Sequence, residues 1–120
     1  MRPLEIALWC WLVGSGVACV AQLILPSRVA GGSDWGLAAG WQREVAAWNF
    51  ALCVAILRVL FLRDEACQIL LGQAIVVLAA ALGANHVAAA RRCPRFTHTV
   101  GILANGVGIL LVVLGLVMSK

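Results

Sequence analysis

Apolar residues run almost unbroken through four stretches of this chain, at about residues 5–25, 43–62, 66–90 and 97–118. Crossing ~30 Å of hydrocarbon takes about 20 mostly apolar residues in a helix, so each stretch is long enough to span a bilayer. Breakers or charges end them: Pro26-Ser27, Arg63-Asp64-Glu65, Arg91-Arg92-Cys93-Pro94 and finally Ser119-Lys120. Continuous apolar runs predict helices, because the strands of a membrane barrel alternate apolar and polar residues. The connections come to about 17, 3 and 6 residues. The two short ones predict antiparallel neighbours and hence an all-α, integral membrane up-down four-helix bundle, a single transmembrane domain over residues 1–120.

Composition agrees. Residues of the AVILMFWYC set make up 63% of the chain and charged residues 12%, with 12 glycines. A soluble domain carries about 25% charged residues, and a chain this short cannot hide such an apolar excess from water. Disorder is excluded by the same count, and a disulfide-stapled fold by five scattered cysteines with no Cys-x-x-Cys. The first stretch also has the look of a signal peptide. Gly16, however, stands where a lipoprotein-type site at Cys19 needs a large aliphatic residue, so an uncleaved signal-anchor is expected.

The net charge of +4 is mostly loop arginine. Arg43, Arg91, Arg92 and Arg95 are expected to contact lipid headgroups, and nothing matches a nucleic-acid motif. The side holding both termini has Arg2, Arg63 and Lys120, with Arg58 if it snorkels outward, against Arg28, Arg43, Arg91, Arg92 and Arg95 opposite. The balance leans toward non-cytoplasmic termini. Trp9, Trp11, Trp35 and Trp41 read as interfacial-belt positions.

Polar residues inside the spans are costly, so their distribution is informative. Gln22, Arg43, Glu44, Asn49, Asn85, His86 and Asn105 all fall in the half nearest the first and third connections, whereas the terminal half has Glu5, Arg58, Gln68 and Gln73. Small residues mark helix-packing seams: Gly14-Ala18-Gln22 in the first span, Gly72-Ala79-Gly83-His86-Ala90 in the third, and Gly101-Asn105-Gly108-Val112-Gly115 in the fourth. Glu44 and Trp48 share a face of the second span, with Asn49 about 140° away from Glu44.

Two readings of these residues stand side by side. Gln22, Asn49 and Asn105 could bond between helices and fix their order, and Glu44 beside Arg43 could satisfy a helix start. Alternatively Gln22, Glu44, Trp48, Asn49, Asn85, His86 and Asn105 line a ligand-binding cavity in one leaflet, apolar with a few convergent polar groups. A Glu44–His86 pair would suit acid–base or proton-relay chemistry. No metal centre is expected: His86, His98 and Glu44 could meet only if the third connection folded back, with His98 at or outside the membrane surface. The same placement speaks against bis-histidine haem. Cys93 could pair with either histidine as a nucleophilic dyad, but beside Pro94 in a basic loop it reads first as incidental.

Gln42-Arg43-Glu44-Val45-x-x-x-Asn49, an apolar helix, and then Gly83-x-x-His86 resemble a family of small four-helix bacterial inner-membrane proteins of unknown function. The likeness covers about residues 40–118, and the coarse layout is also similar to DoxX-like membrane proteins. The resemblance implies the four-helix fold and a bacterial inner-membrane location. It adds weight to Arg43, Glu44, Asn49 and His86 without naming a cofactor or substrate. Cys93-Pro94-Arg95 and Arg58 depart from the pattern.

The function expected is that of a non-catalytic bundle that self-associates or serves as an accessory subunit of a larger membrane complex. The small-residue stripes exceed what one bundle interior needs. A protein binding or transporting a quinone- or lipid-like molecule is the alternative, and a membrane enzyme using Glu44 and His86 a second.

Overall fold

The computed structural model describes residues 1–33 and 35–118. They form five helices: α1 Pro3–Ile24, α2 Pro26–Gly31, α3 Ala39–Leu62, α4 Glu65–Arg92 and α5 Phe96–Met118. The four long ones are long and apolar enough to cross a membrane. At 1.5 Å per residue they run roughly 33–42 Å, enough for the hydrocarbon core of about 30 Å. Lys120, counted above among the charges of the terminal side, lies outside the described residues.

Local chemistry sets the element ends. Arg2 opens α1 through a capping box: its backbone N–H donates to Glu5 Oε2 at 3.0 Å, and Pro3 holds the first helical position. Pro26 ends α1 as expected, but it also opens α2, since proline suits the first turn of a helix. The first connection therefore carries a short helix. Arg63 takes the left-handed conformation (φ 52°) that closes α3, and Asp64 caps α4 by accepting the Cys67 N–H at 3.0 Å. That bond holds the exposed Asp64 carboxyl below the usual aspartate range. The turn takes only these two residues.

The helices do not share contacts evenly. α5 packs along α4, α1 along α3, and α1 along α5, while α3 and α4 touch sparsely although two residues join them. Leu4 lies against Gly115, and Trp11 Nε1 donates to the Gly108 carbonyl at 3.3 Å, so α1 and α5 are antiparallel. Gly72 meets Val112 and Leu116 while Gly83 meets Asn105, so α4 and α5 are antiparallel too.

Large side chains fill one half of the molecule. Leu4, Leu8, Ile56, Ile75 and Val112 are wholly buried near the start of α1 and the end of α5, with Trp11, Leu52, Leu60 and Leu116 packed around them. Toward the other end the buried residues are small or polar: Ser15, Cys19, Ala30, Gln42, Ala46, Ala79, Ala89 and His98. The outward faces are largely apolar, with Val13, Val17, Phe50, Val77, Leu103 and Leu110 among many exposed large residues. That is the reverse of a water-soluble surface and the arrangement a lipid solvent requires.

Of the packing seams expected from small residues, those of α4 and α5 face inward. A Cβ on Gly115 would stand 2.7 Å from Leu4 Cα, and one on Gly108 2.7 Å from the Trp11 ring. Gly14 is the exception: it is exposed, with nothing within 4 Å of the place its Cβ would occupy. Residues four apart drift about 40° around a helix of 3.6 residues per turn. The seam Gly14-Ala18-Gln22 therefore turns from the outside at Gly14 to the inside at Gln22. The true inner line of α1 is Leu4, Leu8, Ser15 and Cys19.

Candidate functional site

The arrangement with the most chemistry is built by the α4–α5 turn and the first connection. Pro94 prevents α4 from continuing, and the Cys93 N–H closes it by donating to the Ala89 carbonyl at 2.9 Å. α5 begins three residues later, its first turn started by the His98 and Thr99 N–H groups on the Arg95 carbonyl. So short a turn sets the first turn of α5 directly against the last turns of α4.

His98 therefore lies inside. It is wholly buried, with its Nδ1 3.4 Å from His86 Nδ1. His86 and His98, expected to meet only if the third connection folded back, are thus brought together at the α4–α5 turn. The cause is the connection, which takes three residues where six were expected. Gly101 makes the approach possible: a Cβ there would stand 2.5 Å from three atoms of the His86 ring.

Trp35 covers the pair. Its ring centroid is 5.1 Å from that of His86 and 5.0 Å from that of His98, nearly edge-on to the latter. The first connection is held down beside it, because Gly32 sits so close to Thr97 that a Cβ would come 2.5 Å from the hydroxyl oxygen. Ser33 is buried and its hydroxyl donates to the Ala30 carbonyl. Gly36, at φ +71°, then turns the chain away toward α3 in a conformation that favours glycine. Trp35, expected at an interfacial position, also packs on the two histidines, and the residue stays 44% exposed.

Two neutral imidazoles facing through their Nδ1 atoms need opposite tautomers for a hydrogen bond, one donating and one accepting. If both rings were imidazolium, two N–H groups would confront each other. Among the described residues, no three His, Cys, Asp or Glu side chains gather closely enough to hold a metal ion.

The other residues singled out above are dispersed. Glu44, Trp48 and Asn85 are exposed, Trp48 to 77%. Asn49 and Asn105 are half-buried but do not bond between helices; each donates to the carbonyl four residues back, Val45 at 2.9 Å and Gly101 at 2.7 Å. An amide on a short side chain reaches its own preceding turn more easily than a neighbouring helix. Gln22 buries its Oε1 with no hydrogen-bond partner. Two open surface depressions are seen, one lined by Ile6, Trp9, Cys10, Val13 and Gly14, the other by Met1, Glu5, Trp9, Leu60, Phe61 and Arg63. Neither contains any of the seven residues expected to line a cavity. Arg43, Arg91, Arg92 and Arg95 are exposed, and Arg95 Nε donates to Cys93 Sγ at 3.4 Å.

A second polar cluster, at the other end, went unrecognised in the sequence. Arg2 reaches Glu5 at 3.3 Å, Glu65 at 3.1 Å and the Gln68 side-chain oxygen at 3.0 Å. Gln68 is wholly buried and donates onward to the Val59 carbonyl at 3.2 Å. One arginine thus links the start of α1 to the start of α4 and, through Gln68, to the end of α3. Arg2 and Gln68 are 66 positions apart, and no local pattern relates them.

The class these features define is an all-helical chain whose four long apolar helices fit a multi-pass membrane protein. No family model, curated protein or solved structure matches the chain, so the functional reading rests on its own residues.

Proposed function

We propose that the chain crosses the bilayer four times as an up-down bundle and works without catalysis, as a self-associating or accessory subunit of a larger membrane assembly. The outer face of α4 carries this reading. Leu70, Ala74, Val77, Ala81, Ala84 and Ala88 follow one another at alternating spacings of four and three, and all are exposed. That is the seam of a helix–helix contact, and no helix of this chain lies on it. Lipid gives no hydrophobic reason to cover such a face. Small residues there instead let another backbone approach to within van der Waals contact over several turns. Gln73 and Asn85 flank the seam, both exposed. An amide in hydrocarbon gains from a partner across a helix interface.

Glu44 and Trp48 on α3 add a second outward polar and aromatic patch. Exposed Arg43, Arg91 and Arg95 suit contact with headgroups at the end away from the termini, in keeping with non-cytoplasmic termini in a bacterial inner membrane. Against an enzyme using Glu44 and His86 stands the use of the imidazole: it is enclosed by His98, Trp35 and Gly101, while Glu44 is exposed.

Native mass measurement in mild detergent tests the reading, comparing the natural chain with Ala81→Phe. A mass above the monomer, or a co-purifying membrane partner, that is lost in A81F is the expected result. A monodisperse monomer with no partner would overturn it.

A further inference from the structure

We propose that His86 and His98 form a two-imidazole chelate for one borderline transition-metal ion, of the Zn(II), Ni(II) or Cu(II) class. The remaining coordination positions would be filled by water or an exchangeable donor. This goes beyond the assembly reading and does not depend on it.

The separation of the two nitrogens is the first ground. At 3.4 Å the Nδ1 atoms stand beyond the 2.7–3.2 Å of an ordinary N–H hydrogen bond. Two nitrogens held at ~2.0–2.1 Å by a tetrahedral ion lie roughly 3.3–3.4 Å apart. The two nitrogens thus have the spacing of one edge of a coordination tetrahedron.

The second ground is that the surroundings fix this spacing. His98 is wholly buried, so its ring has little freedom. The His86 ring lies against Gly101, where any larger residue would displace it. Trp35 packs on both rings from the first connection. Helix, glycine and indole together hold two ligands from different elements, which lowers the ordering cost of chelation. The ring that donates through Nδ1 must move that proton to Nε2, after which both Nδ1 lone pairs can bind while each ring stays neutral.

Donor chemistry selects the ion. Imidazole nitrogen suits zinc, nickel and copper, whereas calcium and magnesium require an oxygen cage. Two protein ligands are fewer than the four of a closed structural site or the three of a catalytic one. The ion is therefore exchangeable, and the half-exposed Trp35 marks the side from which it enters.

The test uses the full chain in lipid nanodiscs, with Zn(II) alone followed by calorimetry and Co(II) followed by its visible spectrum. The expected result is one ion per chain, tetrahedral-type Co(II) absorption, and displacement of the Nδ1 nitrogen resonances of both histidines. His86→Gln and His98→Gln should each weaken binding by roughly tenfold or more, since even outer-shell losses cost 10–100-fold. Cys93→Ser should leave it unchanged. Buried His98 could be needed for folding, so the nitrogen resonances of the natural chain and the half-buried His86 variant carry the decision. Three results would each overturn the proposal: no stoichiometric binding with metal in several-fold excess, binding that survives H86Q, or Nδ1 resonances of a proton-sharing pair undisturbed by Zn(II).

Discussion

Replacing Gly101 by alanine is the sharpest local perturbation of the histidine pair. The added Cβ would sit 2.5 Å from His86 Nδ1, Cε1 and Nε2, where ordinary contact begins at 3.4 Å. The ring or the α4–α5 spacing must therefore yield by roughly 0.9 Å, in an interior that is close-packed. His86 cannot retreat freely, because Trp35 lies against its ring. Overpacking of this kind costs about 1–3 kcal/mol. Alanine also gains about 0.8–1 kcal/mol of helix propensity over glycine, which blurs a single measurement. Gly106 removes the ambiguity, since it lies on the same helix with nothing within 4 Å of its missing Cβ. Gly106→Ala shares the propensity gain and lacks the clash, so the difference between the variants isolates the steric cost. We expect G101A to be less stable than G106A by about 1–3 kcal/mol in denaturant unfolding in mild detergent followed by circular dichroism. The His86 nitrogen resonances should move in G101A alone. Stabilities equal within about 0.5 kcal/mol would refute the close approach of α5 to His86.

Three further outcomes follow from the same contacts. Gly115→Ala would push a Cβ against the backbone of Leu4, which can move only with its helix, so a loss of about 1–3 kcal/mol is expected; Gly14→Ala, in open space, should be neutral or gain up to about 1 kcal/mol, and paired unfolding curves check both. Arg2→Met removes the donor to the buried Gln68 oxygen and should cost about 1–3 kcal/mol, whereas Glu65→Gln, breaking a half-exposed ion pair, should cost less than about 1 kcal/mol in the same assay. The Cys67 N–H holds the folded Asp64 carboxyl below its ordinary range, so the cap's contribution is fully present above the unfolded aspartate value and fades as pH falls through the folded one; Asp64→Asn should flatten that acid limb in stability measured against pH.

The four long helices were readable because their cause is local: long apolar runs bounded by Pro26, Arg63-Asp64 and Pro94. The inward seams of α4 and α5 were readable for the same reason, since period and residue size along one helix fix them. Boundaries were less so. Ala39–Gln42 belongs to α3, and Pro26 opens α2, although both segments had the look of loop. Gly40 and Trp41 give no helical signal alone, but Gln42 is anchored by its side chain on the Pro26 carbonyl at 2.9 Å.

The histidine site was half legible. His86 stood out as a polar residue continuing an inward stripe, but His98 became a partner only through a turn of three residues. Trp35 joined it through the fold of a segment 51 and 63 positions away in sequence. The Arg2 cluster was not legible at all, because its partners come from the starts of two helices and the end of a third. The asymmetry expected of the polar residues is correspondingly revised: each end has a polar cluster around one buried side chain, His98 or Gln68, while the large apolar core lies in the terminal half.

The central claim is that the outer face of α4 meets another helix in the membrane. Placing a photo-reactive residue in turn at Ala74, Ala81 and Ala88, and for comparison at Val13 and Val17 on the outer face of α1, tests it in intact membranes. Discrete protein adducts at the three α4 positions, with only lipid adducts at Val13 and Val17, are the predicted result. Lipid adducts alone at all five positions would contradict the account.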